Sequence, residues 1–200
     1  MKKKLQIGIM ILIVVILAFL YAHIDKNIYL YDRDLDTGKF ISTGILNNNS
    51  LSQTFNCSEN VLDGLNVKCT IVGKVSGVSL EYSVIDRDTG AILTSARVDA
   101  AEIVNNRFHM FGFEQLKNTK GRNFIFNLQE VGSTEGNGVS FYITDEVNNG
   151  NQLIIKGNET QGTLIARTVS RRFDLETFAV VLLFVVYIVA FFKLLYKLFK

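Results

Sequence analysis

The chain has no tryptophan and no proline, and only two cysteines and two histidines among its 200 residues. Without tryptophan, the strongest flat platform for a sugar ring is missing, so any stacking falls to tyrosine or phenylalanine. The cysteines, Cys57 and Cys69, form no CxxC redox pair and have no neighbouring thiol or histidine to complete a tetrahedral metal site. The two histidines, His23 and His109, leave little for acid–base chemistry, and no GxSxG elbow presents a nucleophilic serine. The glycine runs GVSG and EGNG lack the strand–glycine–helix setting of a phosphate loop. Lys and Arg number 21 against 19 Asp and Glu, a formal net charge of +2. Much of the basic charge flanks the two apolar ends, so no nucleic-acid partner is expected. No cofactor is expected either.

What the chain has in quantity is apolar sequence at both ends. After MKKK comes Leu5–Ala22, uncharged and with one polar side chain, Gln6. As a helix it would run about 27 Å, close to the hydrocarbon thickness of a bilayer. Near the other end Phe178–Phe192 carries no charge, and Glu176 and Lys193 edge the longer stretch Leu175–Tyr196. Both are apolar all round, which predicts two transmembrane helices rather than amphipathic core helices. The first is expected to stay as an anchor, because it exceeds a usual signal-peptide core and FLYAHIDKN has no clear small-x-small cleavage site. Cleavage is the alternative and would leave the domain on the same side.

Lys2, Lys3 and Lys4 precede the first helix, and Lys193, Lys197 and Lys200 close the second. The excess of lysine at both extremes places both ends in the cytoplasm. Arg167, Arg171 and Arg172 stand just before the second helix on the other side, against that trend. The organisation expected is an anchor with a basic cytoplasmic start over 1–23, an extracytoplasmic domain over 24–172, and a transmembrane helix with a basic tail over 173–200. The three lysines of that tail fall at helical spacing; interfacial anchoring accounts for them, and docking to a membrane partner is the alternative.

Outside the cytoplasm a cysteine pair can stay oxidised. Leu51–Cys57 and Leu65–Val72 both alternate apolar and polar residues around SENVLDG. If they form a hairpin about Asp63, residues 57 and 69 face each other and can be bridged. A loop this short would contribute roughly 3 kcal/mol in the chain-entropy picture. Two buried free thiols are the other reading.

The rest of the middle alternates in the same way. Val78–Ile85 and Ala91–Val98 flank the turn Asp86–Gly90; 107–113, Asn123–Val131, GVSFYITD, QLIIKGN and GTLIARTV follow, and 100–104 reads as a short helical turn. Roughly nine short strands joined by Gly- and Asn-rich turns, with no long crossover helices, predict an all-β antiparallel sandwich.

The order SQTF (Ser52, Gln53, Thr54, Phe55), Asp63-Gly64-Leu65, a hairpin, then Phe111, Phe113, Asn118, Lys120, Gly121, Phe124 and Phe126 covers about residues 50–145. It resembles the extracytoplasmic jelly-roll domains of bacterial membrane proteins linked to envelope polysaccharide, some of them glycosyltransferase-like. Those domains are similar in shape to carbohydrate-binding modules. The resemblance implies a jelly-roll fold, a bacterial source, and as partners a lipid bilayer with an envelope polysaccharide or a membrane glycosyltransferase-like protein. This chain has two apolar segments and no catalytic membrane domain.

Candidate site residues are few. Asp32, Asp34 and Asp36 alternate as in a calcium loop, but Gly38 and Thr43 stand where that loop needs its sixth-position glycine one residue earlier and a closing glutamate. A solvated turn is the plainer reading. Asp86 and Asp88 repeat the spacing in a hairpin turn and are the candidate metal ligands, since jelly-roll sugar binders can carry a structural calcium. Tyr142, flanked by Ser140 and Thr144, is the candidate ligand platform, against an ordinary strand-surface tyrosine. His109, alternating with Phe111 and Phe113, reads as structural. Two functions follow: a non-catalytic tethered sandwich that binds or positions an envelope glycan or a partner enzyme, or a small anchored enzyme acting on glycans. The scarcity of acid–base constellations favours the first.

Overall fold

The computed structural model describes residues 2–146 and 150–199. Its elements are α1 (Lys2–Tyr21), β1 (His23–Tyr29), β2 (Ile41–Ile45), β3 (Ser50–Asn56), β4 (Val61–Val72), β5 (Ser79–Asp86), β6 (Ile92–Asp99), β7 (Arg107–Lys117), β8 (Asn123–Val131), β9 (Gly138–Thr144), β10 (Leu153–Ile155), β11 (Asn158–Thr160), β12 (Thr163–Leu164), β13 (Ala166–Phe173) and α2 (Leu175–Leu198). Single 3-10 turns fall at Thr37–Lys39 and Ala100–Glu102. Two compact units result: Met1–Asp25 with Arg171–Lys200, and Lys26–Ser170.

The second unit is built from two antiparallel sheets. One has seven strands, with β1-β13-β4-β9-β12 in order, β7 on the other edge of β4 and β2 on the other edge of β9. The second has six, ordered β11-β10-β3-β8-β5-β6. Alternation places the core. Leu80, Tyr82 and Val84 of β5 and Phe124, Phe126 and Leu128 of β8 turn one way; Leu65, Val67, Phe111, Val139 and Phe141 come from the other sheet, and all join a single apolar cluster. Rings interlock between the sheets: Phe111 lies 5.1 Å from Tyr82 and 5.8 Å from Phe126, each edge-on. Edge-to-face contact suits the ring quadrupole and adds to the area buried.

In the SQTF run Gln53 links the two sheets, while Ser52 and Thr54 make polar contacts on the side of their own sheet. Gln53 is fully buried; its Oε1 accepts from Leu164 N at 2.8 Å, while its Nε2 donates to Thr54 O at 3.0 Å. Ser52 donates to Asn127 Oδ1 at 2.8 Å, and Thr54 Oγ1 accepts from Gln152 N at 2.5 Å. Glu130, also fully buried, accepts from Asn47 N at 2.9 Å and Val139 N at 2.6 Å, and so ties the turn after β2 to β9. A buried carboxylate without such donors would carry its whole desolvation cost.

The hairpin expected about Asp63 does not form. β4 runs unbroken through Asp63-Gly64, with a bulge where its register on β7 shifts between Leu62 and Gly64. Gly64 is needed there because a Cβ would stand 2.7 Å from the Phe111 carbonyl oxygen. A glycine inside a strand marks such a close approach as readily as a turn. β3 and β4 therefore belong to different sheets, and Cys57 and Cys69 are free buried thiols. The Cys57 carbonyl accepts from Gly121 N at 2.7 Å, near the Val61 end of β4, where Val61 pairs with Lys117. Roughly 26 Å of strand separates Val61 from Cys69, whereas a disulfide needs Cα atoms within about 7 Å.

In the first unit α2 is a helix long and apolar enough to cross a membrane, with mean hydropathy 2.8 over its best window. The apolar part of α1, Gly8–Tyr21, is shorter. Lys200 lies outside the described residues. Asp174 caps α2, accepting from Thr177 N at 3.3 Å and Thr177 Oγ1 at 2.6 Å. An acceptor there satisfies a free helix N–H, and Glu176 in the first turn suits the helix dipole. Phe19, His23, Phe173 and Phe178 form a ring cluster with centroids 4.6–5.4 Å apart, beside the Asp25–Arg171 ion pair at 3.1 Å.

Candidate ligand-binding face

β9 sends Val139, Phe141 and Ile143 into the core and turns Ser140, Tyr142 and Thr144 outward. The three expected site residues thus share a face but not a state. Ser140 and Thr144 are fully buried. Ser140 Oγ lies 2.7 Å from Ser42 Oγ, and Thr144 Oγ1 accepts from Glu146 N at 3.2 Å. Both hydroxyls serve the local fold; Tyr142, half-buried, keeps its ring on the outside of the sheet.

Strand register supplies its neighbours. Cys69 pairs with Phe141 and Lys68 with Phe108, so Phe108, Lys68 and Tyr142 form one row across β7, β4 and β9. The Lys68 ammonium lies 5.5 Å from the Tyr142 ring, 5.8 Å from Phe40 and 5.9 Å from Phe108, and donates to Asn106 O at 3.2 Å. Arg167, opposite Asn66 on β13, stacks its guanidinium 4.6 Å above Phe108 and 5.9 Å from Tyr29. Its Nη1 reaches the Tyr29 hydroxyl at 3.5 Å, and its Nε is shut from solvent without an acceptor. Tyr29, Tyr31 and Phe40 continue the rings edge-to-face at 5.4 and 5.8 Å. Burial pushes the Tyr31 phenol up, with Tyr29 acting in the same direction and Arg167 against it. The outside of the seven-stranded sheet is therefore a field of aromatic rings and fixed cations. Each cation–ring contact contributes on the order of 0.5–1 kcal/mol at a half-exposed site.

At its edge lies a cleft of about 600 Å³ lined by Asn105, Asn106, Arg107, Phe108 and Arg167. Asn105 Oδ1 accepts from Ile71 N at 2.7 Å, which leaves its amide nitrogen as a donor. The outside of the six-stranded sheet is different. A shelf of about 380 Å³ there is walled by Glu81, Ser83, Ser95, Arg97, Asn127 and Gln129. Glu81 pairs with Arg97 at 3.5 Å, and Tyr82 turns its ring inward, its hydroxyl donating to Gly112 O at 2.6 Å.

The other candidates do not converge. Asp86 Oδ1 accepts from Asp88 N at 3.1 Å, Thr89 N at 2.8 Å and Thr89 Oγ1 at 2.9 Å, and Oδ2 pairs with Arg122. The Thr89 amide, then Arg122, hold the Asp86 carboxyl down at about 2. With both its oxygens engaged, Asp86 clamps the turn, to which Asp88 gives its backbone N–H, and among the described residues no group of three or more acidic, histidine or cysteine side chains could hold a metal. Asp32 and Asp36 accept from Asp34 N and Gly38 N, each at 2.9 Å, as turn residues do. His109 is half-buried and edge-on to Phe111 at 5.0 Å; burial lowers its pKa, with Glu102 opposing. Burial pushes the Cys69 thiol up to about 12, which makes it unreactive near neutral pH.

The sequence marks neither Lys68 nor Phe108 as a site residue, and it marks Arg167 only as a basic residue ahead of the second helix. Alternation of Asn66, Lys68 and Thr70 against Val67 and Cys69 marks Lys68 as outward-facing. Its meeting with Phe108, Tyr142 and Arg167 depends on pairings between strands far apart in the chain. No family model matches the chain, and no curated protein matches it.

Proposed function

We propose that the chain is a non-catalytic, membrane-tethered β-sandwich of jelly-roll type. Both helices hold it on the extracytoplasmic side, where its sheet face binds or positions an envelope glycan, alone or for a partner membrane enzyme. The observation that carries this reading is the outward row Phe108–Lys68–Tyr142 with the amide-lined cleft beside it. Sugar recognition needs rings for the apolar faces of pyranoses and fixed donors for their hydroxyls. The length and hydropathy of α2, the lysines flanking both ends, and the helical run of α1 over Lys2–Tyr21, about 30 Å long, support a two-pass anchor. α1 and α2 also touch each other within their unit.

The competing idea, an anchored glycan-cleaving enzyme, needs paired carboxylates flanking a bond. The cleft lining contains none, and the one carboxylate on the opposite shelf, Glu81, is paired with Arg97. The test is a glycan array probed with the full chain in detergent micelles. Binding of envelope-type glycans that Tyr142→Ala and Lys68→Met both weaken is expected. A folded sample that binds no glycan, or variants that bind as the parent does, would refute the proposal.

A further inference from the structure

We infer that the cleft between residues 105–108 and β13 takes the acidic group of a charged glycan, a uronate carboxylate or a bridging phosphate. This rests on the glycan reading above and specifies its ligand class. Arg107 and Arg167 line the cleft, and Lys68 stands in the row beside it. Among the described residues, none of these three cations has a carboxylate within 4 Å, whereas Lys26 pairs with Glu59, Arg97 with Glu81 and Arg122 with Asp86. Arg97 and Arg122 of this domain meet carboxylates, and Arg33 and Arg87 stand singly without one among the described residues; Arg107 and Arg167 are two guanidinium groups gathered in one cleft with no carboxylate between them. The plane of Arg167 is fixed by its stack on Phe108, so its donor fork is oriented before a ligand arrives. An arginine held in this way suits carboxylate and phosphate oxygens, which take two parallel hydrogen bonds. Phe108 and the amides of Asn105 and Asn106 supply the surface for the sugar that carries the charge. A cleft of about 600 Å³ lies within the range of small-ligand sites.

The test uses the full chain in nanodiscs of zwitterionic lipid, titrated calorimetrically. The acidic probes are oligogalacturonate and a short polyglycerol-phosphate chain; the others are size-matched malto-oligosaccharide and inorganic phosphate. At least one acidic chain is expected to bind tenfold or more tighter than malto-oligosaccharide and inorganic phosphate, and to weaken as salt rises from about 50 to 200 mM. Arg107→Gln with Arg167→Gln should remove that preference, and Arg167→Lys should lose part of it because the fork is lost while the charge remains. Arg97→Gln, on the opposite sheet, removes one positive charge and should change nothing. Equal binding of acidic and neutral chains overturns the inference while leaving the glycan reading in place. So does an acidic preference that survives the double substitution. Inorganic phosphate binding as tightly as the chains overturns the sugar requirement, and no binding of any chain by folded protein overturns both readings.

Discussion

Phe111 and Phe108 stand three residues apart on one strand with opposite surroundings, and their substitution by alanine tests the facing of β7. Phe111 is fully buried and meets Tyr82 and Phe126 of the opposite sheet, with His109 at 5.0 Å. Truncating a buried phenylalanine removes transfer free energy and leaves a cavity, a loss of about 3–5 kcal/mol. The lost edge-to-face pairs push Phe111→Ala toward the upper half of that range. Domains of this size have about 5–15 kcal/mol in all, and each kcal/mol moves the melting temperature by roughly 2–4 °C. Phe111→Ala should therefore lower Tm by about 10 °C or more. Phe108→Ala gives up a half-buried ring and its contacts with Lys68 and Arg167, on the order of 1–2 kcal/mol. The assay is thermal unfolding of the full chain in detergent, followed by near-ultraviolet circular dichroism. A one-residue slip of β7 would exchange the two faces. A Phe108→Ala loss equal to or larger than the Phe111→Ala loss would refute the assigned facing and the ligand face with it.

Gly64→Ala should destabilise by about 1–3 kcal/mol, because its Cβ would meet the Phe111 carbonyl; an unchanged melting temperature would contradict the bulge. Intact protein treated with an alkylating agent should take up no label while folded and two labels after denaturation without reductant, since Cys57 and Cys69 are buried free thiols. Absence of label in the unreduced, denatured sample would restore the disulfide. The Asp86 carboxyl titrates at about 2 when folded, below its ordinary 3.8, so its stabilisation is complete above about pH 4 and fades as pH falls toward 2. Asp86→Asn should flatten that part of the acid limb of a stability–pH curve; an unchanged slope would show that the turn clamp is not formed.

Local alternation was enough to find most strands and the inward rows Leu80–Tyr82–Val84 and Phe124–Phe126–Leu128, because a half-buried strand writes its face into every second residue. The turn at Asp86–Gly90 was legible from its aspartates and glycine, and the helical turn expected over 100–104 forms at Ala100–Glu102, with a second at Thr37–Lys39. Asp63-Gly64 misled because the same dipeptide suits a turn or a bulge, and only the distant Phe111 backbone decides between them. β1 and β2 escaped notice since charged and polar residues interrupt their alternation and their partners, β13 and β9, lie about a hundred or more residues away. The site divides along the same line. Tyr142 was visible as an outward ring, but Ser140 and Thr144 beside it are sealed by Ser42 and Glu146. The cations that give the face its chemistry come from β4 and β13, and register alone brings them to Phe108 and Tyr142.

An envelope-facing glycan binder requires the sheet domain to lie outside the cytoplasm. Lys120 is exposed in the turn between β7 and β8, and both native cysteines are buried, so a Lys120→Cys variant presents one accessible thiol. A membrane-impermeant maleimide should label that variant in intact cells and leave the parent unlabelled. Labelling that occurs only after the cells are lysed would place the domain in the cytoplasm and contradict the proposal of an envelope-facing glycan binder.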